Sequence, residues 1–307
     1  MKRRGTLTVT ALLGLLLLAP NPPVRADEDD SWIFPNPWSF DSPQSRRRSG
    51  GMEFRFLHAK DLDALTMPLI SYVTTESRQF VVQVFLPLTV AMPAGGSASF
   101  GFGDARISAR GSWSFSLDLG TPVGAAWGVG FDINLPWSVF WGHLVSATSG
   151  ETGVSYSANI AGMIAHPENP IGWVPGFLGF GPRASFALGG QLLFAECAAS
   201  FPMMMPIAWT DVYAPEVFFS WGVAGGTSPL KEVALLAELS GLVALTGSGA
   251  VGGTFVLSQN FFTLSSRFFF GSFEGGLMLR LPLNDQFAVG DAGTSFVVGL
   301  YLGGGID

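Results

Sequence analysis

Asp104–Leu119 reads DARISARGSWSFSLDL. Every even position is polar: Asp104, Arg106, Ser108, Arg110, Ser112, Ser114, Ser116 and Asp118. Every odd position is apolar or glycine, from Ala105 and Ile107 through Trp113 and Phe115 to Leu119. Successive side chains of a strand point to opposite faces, so this is one β-strand with two unlike sides. The alternation runs well past the about 5–6 residues usual in a soluble sheet. A tilted strand crossing a bilayer needs roughly 9–11 residues in the hydrocarbon, with its ends in addition. A soluble sandwich can also carry such a strand, with its apolar side on a core, so the rest of the chain must choose.

Composition favours the membrane. The 307 residues are 48% hydrophobic and only 13% charged, against about 25% charged in soluble domains. The net charge of -7 argues against nucleic acid as a partner. Residues 1–26 read as a cleaved secretory signal: basic Lys2, Arg3 and Arg4, an apolar stretch from Ala11 to Ala19, and Val24-Arg25-Ala26 before acidic residues. The lone cysteine, Cys197, has no internal partner, which fits an exported protein stabilised by other means. After the signal no apolar run reaches the roughly 18 residues of a spanning helix. Only helices and closed barrels satisfy their backbones in lipid. An exported, apolar chain without such a helix is therefore expected to be a bacterial outer-membrane protein.

Other segments repeat the two-sided pattern. Gln79–Val90 sets Phe80, Val82, Val84, Leu86 and Leu88 against Gln79, Gln83 and Thr89. Ala125–Trp137 puts Trp127, Val129, Phe131, Ile133 and Leu135 on one side, with Trp127 and Trp137 toward its ends as interfacial girdles would be. Strands are expected over 64–76, 79–91, 103–119, 123–137, 153–166, 182–196, 215–225, 231–246, 261–270, 273–283 and 293–303. Bacterial single-chain barrels have even strand counts, so either Phe54–His58 or Thr254–Leu257 is expected to supply one more. Residues 198–215, with Met203-Met204-Met205 and two prolines, read as an irregular loop over or into the pore. The fold class expected is all-β: a transmembrane antiparallel up-and-down barrel of about 12 strands, within a range of roughly 10–14. Residues 27–51 read as an irregular periplasmic segment and 52–307 as the barrel.

The run GFGDARISARGSW resembles a strand of outer-membrane proteins of the phenol-degradation meta-pathway type and related transporter-like barrels. AWGVGFDINLPW resembles their next strand, ALLAELSG their glutamate-containing strand, and GGLMLRLPLND their penultimate one. The resemblance runs in order across residues 99–303. It implies a transporter-like barrel and, by association only, an aromatic or hydrophobic solute. The chain departs from the terminal Phe or Trp common in outer-membrane barrels, ending Gly303-Gly304-Gly305-Ile306-Asp307.

Enzyme motifs are scarce. His58, His143 and His166 fall in loops or at strand ends, and no H-E-x-x-H, P-loop or G-x-S-x-G occurs. No catalytic residue, metal ligand or cofactor is expected. The alternation instead assigns a lumen-facing set: Asp104, Arg106, Arg110, Asp132, Asn134, Arg183, Gln191, Glu232, Glu238, Arg267, Glu274 and Arg280. An Arg or Lys facing lipid at the midplane costs roughly 2–4 kcal/mol, so inward placement is preferred. Such a set suits a narrow pore whose opposed charges orient small polar solutes. It suits equally a barrel cross-braced by ion pairs with no through-path. The functional expectation is a passive outer-membrane channel or transporter. The alternatives are a plugged barrel serving as a structural or interaction protein and, more distantly, a lipid-modifying barrel enzyme. The expected partners are outer-membrane lipid and an unidentified small solute.

Overall fold

The computed structural model describes residues 50–59, 62–74, 80–118, 122–136, 177–190, 193–207, 215–230, 232–246, 258–271, 273–284 and 295–304, with 37, 161–162, 165–166 and 170–173. The signal segment, nearly all of 27–51, Gln191, His143, Trp137 and 254–257 lie outside the described residues.

Sixteen antiparallel segments form one sheet. They are β1 Gly50–Ala59, β2 Leu62–Thr66, β3 Leu69–Thr74, β4 Phe80–Leu86, β5 Leu88–Pro93, β6 Ser99–Phe102, β7 Ala105–Asp118 and β8 Pro122–Leu135. After them come β9 Phe177–Gly189, β10 Leu193–Ser200, β11 Met203–Pro206, β12 Glu216–Leu230, β13 Val233–Ala244, β14 Ser258–Phe270, β15 Phe273–Pro282 and β16 Phe296–Gly304. β1 pairs with β16 from Gly50↔Gly304 to His58↔Phe296, which closes the sheet on itself. The result is a closed barrel of 12 strands, since four staves are each made of two segments in line.

Those breaks have a chemical cause. β2 and β3 are separated by Met67-Pro68, β4 and β5 by Pro87, and β10 and β11 by Phe201-Pro202. Proline has no N–H to give a ladder, so regular pairing stops there. Its carbonyl can still accept: Glu53 donates to Pro68 (3.2 Å), Gly103 to Pro87 (3.1 Å) and Phe218 to Pro202 (2.8 Å). The fourth break, between β6 and β7, falls at Gly103-Asp104, where a Cβ on Gly103 would lie 2.2 Å from the Gly172 carbonyl.

Burial inverts that of a soluble protein. Val129 is 47% exposed, Phe131 41% and Leu264 49%, whereas Arg280 and Thr263 are 0% exposed. The odd residues of β8 from Trp127 to Leu135 face outward, and Trp127 stacks on Trp113 of β7 at 4.5 Å between centroids. Polar and charged side chains line the inner face beside a smaller apolar set, including Leu57, Phe261, Met278, Val297 and Tyr301. Tyr301 needs glycines beside it: a Cβ at Gly303 or Gly51 would lie 2.1 or 2.6 Å from its hydroxyl.

The structure corrects several expectations. The twelfth strand is β1, longer than Phe54–His58 and starting at Gly50. Residues 182–196 are not one strand but the end of β9 and the start of β10. Residues 198–206 are mostly strand, β10 and β11, with Pro202 only interrupting them. The strand expected over 153–166 is absent where described: Ala161, Gly162 and Ala165 are helical, and the His166 amide donates to the Gly162 carbonyl (2.9 Å). The connections at the end holding both barrel termini are short, as between β14 and β15 at Gly271, whose φ of 60° suits glycine. The long connection, 136–176, leaves the opposite end.

Candidate functional site: the lumen and its inserted loop

The described part of the β8–β9 connection lies inside the barrel. Ala161, Ala165 and Trp173 are each 0% exposed and His166 is 1% exposed. Ala161 packs in the same cluster as Leu57, Phe261, Met278 and Tyr301 of the inner wall. A short 3-10 helix, Pro170–Trp173, then brings Trp173 against Gly162, where an added Cβ would lie 2.1 Å from the indole. The inserted piece is thus compact, with a tryptophan resting on a glycine and the helical turn.

The wall holds this piece through side chains. A helical turn leaves its last carbonyls without partners inside the turn. The Ala165 carbonyl accepts from Arg55 Nη1 of β1 (2.7 Å) and from Arg280 Nη1 of β15 (3.4 Å). His166 Nε2 meets Thr66 Oγ1 at 2.8 Å. The same imidazole stacks on Trp173 (5.2 Å) and meets Phe85 edge-on (5.8 Å). Phe85 in turn lies under the Arg106 guanidinium at 5.2 Å. One backbone bond also joins loop and wall, from the Asp104 amide to the Gly172 carbonyl (2.5 Å), at the break between β6 and β7.

The sequence-derived set divides along the lumen. Asp104 is 0% exposed beside the 3-10 helix, while Arg110 and Asn134 are 7% and 3% exposed on the inner face of β7 and β8. Asp132 pairs across to Arg183 of β9, Nη1 to Oδ1 at 3.4 Å. Glu238 accepts from Ser265 Oγ (3.1 Å). Arg280 donates from Nε to Thr263 Oγ1 (3.0 Å). Arg267 pairs with Glu274 at 3.7 Å and lies over the Tyr301 ring at 5.4 Å. Arg267 also donates to the Pro37 carbonyl (3.5 Å). Glu232 is half-buried in the turn before β13, and Gln191 lies outside the described residues.

Sequence reasoning missed Glu53, Arg55, Glu196 and Glu216, all buried, as well as the roles of His166 and Tyr301. Met52-Glu53-Phe54-Arg55-Phe56 does alternate charged and apolar residues, so Glu53 and Arg55 were discoverable once β1 began early enough. Glu53 bonds Arg55 Nε. His58 pairs with Asp63 at 2.7 Å on the exposed rim, not in the lumen. Among the described residues no group of three His, Cys, Asp or Glu side chains could hold a metal ion.

No protein-family model matches the chain, and no curated protein matches it. Solved structures do. The COG4313 outer membrane channel from Pseudomonas putida F1 aligns with a TM-score of 0.57 at 11% identity, over 84% of this chain and 96% of that one. A KdgM porin in complex with disordered oligogalacturonate aligns over 84% and 99% at 6% identity, with a TM-score of 0.39. The outer membrane phospholipase of Salmonella typhi aligns over 88% and 94% at 9% identity, with a TM-score of 0.38. At these identities the likeness is one of fold.

Proposed function

We propose that the chain is an outer-membrane channel for small solutes, narrowed by the inserted β8–β9 loop. The observation that carries this reading is how the loop is seated. The barrel closes without it, and the wall grips it through Arg55, Arg280, Thr66 and one backbone bond. A constriction held in this way can move while the ladder around it stays intact, because strand pairing and loop seating use different donors.

The location rests on three features. The belt of exposed Val129, Phe131, Leu264 and Leu277 suits lipid contact. β8, Pro122–Leu135, exceeds the roughly 9–11 residues needed to cross the hydrocarbon. Short turns at the terminal end and a long loop at the other match periplasmic and outer sides respectively. The resemblance to phenol-degradation-type transporters belongs to this proposal: the segments that carry it fall on β6–β7, β8, β13 and β15. No catalytic role is assigned to His58, which pairs with a rim aspartate, or to His166, which is used in seating the loop.

The Pro37 carbonyl on Arg267, a second contact inside the barrel beside the seated loop, favours the second reading, a plugged barrel. Planar-bilayer recording of the refolded native protein tests both. Discrete conductance steps from preparations that migrate as folded, heat-modifiable barrels are the expected result. Silence from equally folded preparations would overturn the channel and leave the plugged barrel.

A further inference from the structure

Across β14–β16 and β1 the inward Thr263, Arg280, Val297 and Arg55 are each at most 3% exposed. The opposite arc differs. Gly130 of β8 lies opposite Arg183 of β9, Arg183 opposite Ser200 of β10, and Ser200 opposite Ser220 of β12. All four are half-buried, and so are Ser185 and Ala198, the next inward pair along β9 and β10. Asp132, two residues from Gly130 on the same face, reaches Arg183 at 3.4 Å, and these two side chains keep 18% and 12% of their surface accessible. Toward the long connection the wall closes again, with Met204 and Phe218 at 0% and 1% exposure. Toward the short turns Ala187, Glu196 and Ala224 are 0%, 3% and 7% exposed. Between these two buried bands lies a wet recess of the lumen, and its glycine, alanine and serines leave the room. Three strand spacings and one inward step make it about 14 Å across the strands and about 7 Å along them.

We propose that this recess binds a small neutral polyhydroxyl solute, of the size of one sugar ring. The proposal rests on the channel reading and names its solute class and the part of the wall that recognises it. A serine hydroxyl both donates and accepts, so Ser185, Ser200 and Ser220 exchange bound water for solute hydroxyls without losing hydrogen bonds. Asp132 adds acceptors and Arg183 adds donors. The two charged side chains that line the recess are paired with each other, so they ask the solute for no net charge. An apolar solute would strip water from these groups and return no hydrogen bond, which is costly for buried polar groups. The recess therefore selects against the aromatic solute that the resemblance to phenol-degradation-type transporters implies.

The test is thiol labelling of the full barrel in detergent, with the exposed Cys197 replaced by Ala. Ser200→Cys and Ser220→Cys should react with a small hydrophilic methanethiosulfonate, whereas Thr263→Cys, on the sealed arc, should not. Heat-modifiable migration certifies each variant as folded, and Ser185→Cys is a third position should either serine variant not fold. Glucose at ten times its dissociation constant should slow labelling of Ser200→Cys about tenfold, relative to free glutathione in the same solution. Adding Ser220→Ala should weaken that protection by roughly 2–13-fold, the loss of one neutral hydrogen bond. Cyclohexanol, a ring of like size with one hydroxyl, should give no protection. Glucuronate should protect no better than glucose, since Arg106 is turned over Phe85 of β4 at 5.2 Å and Arg110 is buried. Unreactive thiols at all three serine positions in folded barrels, or no protection by glucose up to its solubility, would overturn the site. Equal protection by cyclohexanol, or stronger protection by glucuronate, would overturn the solute class. No arm needs ion flow, so a barrel that binds glucose yet never conducts would sink the channel reading and leave the site standing.

Discussion

Gly162 offers the sharpest test of whether the inserted loop is the constriction. A Cβ built there lies 2.1 Å from Trp173 Cε3, 2.3 Å from Cδ2 and 2.7 Å from Cζ3. These are ring atoms of a side chain with 0% exposure, so the indole cannot yield by swinging into open space. Gly162→Ala must push the tryptophan or the helical turn away from the wall. Extra methyl groups in packed interiors cost about 1–3 kcal/mol. Here the strain lies within the inserted piece and not on any strand pair, so a released state in which Trp173 also leaves Gly162 escapes it. At 1.36 kcal/mol per factor of ten, the released-to-seated ratio should rise by roughly 5–150-fold. Single-channel recording in planar bilayers reads this as a higher open probability or a larger step. Heat-modifiable migration should not change, because the barrel ladder is untouched. Channels with the same open probability and step size as native, from equally folded material, would show that the loop does not set the path.

Other expectations follow from the walls. Val129 lies mid-strand on β8, is 47% exposed, and faces Gly111 and Ala184 on its neighbours. Val129→Arg should destabilise the barrel by about 2–4 kcal/mol if that height is the bilayer midplane, measured by urea unfolding in lipid vesicles. No loss at all would reverse the assignment of faces. Replacing Arg106 and Arg110 together by Ser should shift selectivity toward cations, since charges along a narrow path set which ions pass. Reversal potentials in a salt gradient check this, and an unchanged value with conductance present would remove both from the pore lining. Gly303→Ala puts a methyl 2.1 Å from the Tyr301 hydroxyl at the β1–β16 seam. It should lower barrel stability by about 1–3 kcal/mol, and the same substitution made in a Tyr301→Ala background should cost much less, relative to that background, in the same unfolding assay.

The strands were legible because a lipid-facing barrel writes its two faces into alternate residues. β7 and β8 show this best, with Ser, Arg, Asp and Asn inward and Trp, Phe, Val and Ile outward. Where the pattern failed, backbone chemistry had overridden side-chain period. Pro202 split a stave whose flanks, Ala198–Ser200 and Met203–Pro206, carry no strong alternation, so a strand read as a loop. Gly189 and Gly190 hid a tight turn, so two strands read as one. Val154–Ile164 alternates as a strand would, yet Ala161 and Gly162 within it are helical. Ala161, Ala165 and His166 are buried inside the barrel and have no lipid face to impose a period, so alternation there carries no information about strands.

That same enclosure explains why the site was harder to read than the fold. The sequence marks Arg280 as inward because it alternates with Leu279 and Leu281, yet inward is all that alternation can say. What Arg280 does depends on Ala165, 115 residues away in sequence, and Ala165 has no chemistry of its own to announce the contact. Only its carbonyl is used, and every residue has one. Arg55 differs in kind. Its neighbour Glu53 lies two positions away on the same face, a spacing visible in the sequence once β1 is allowed to start at Gly50. The barrel thus fixes its arginines by near partners that a sequence can show and aims their remaining donors at a backbone that it cannot.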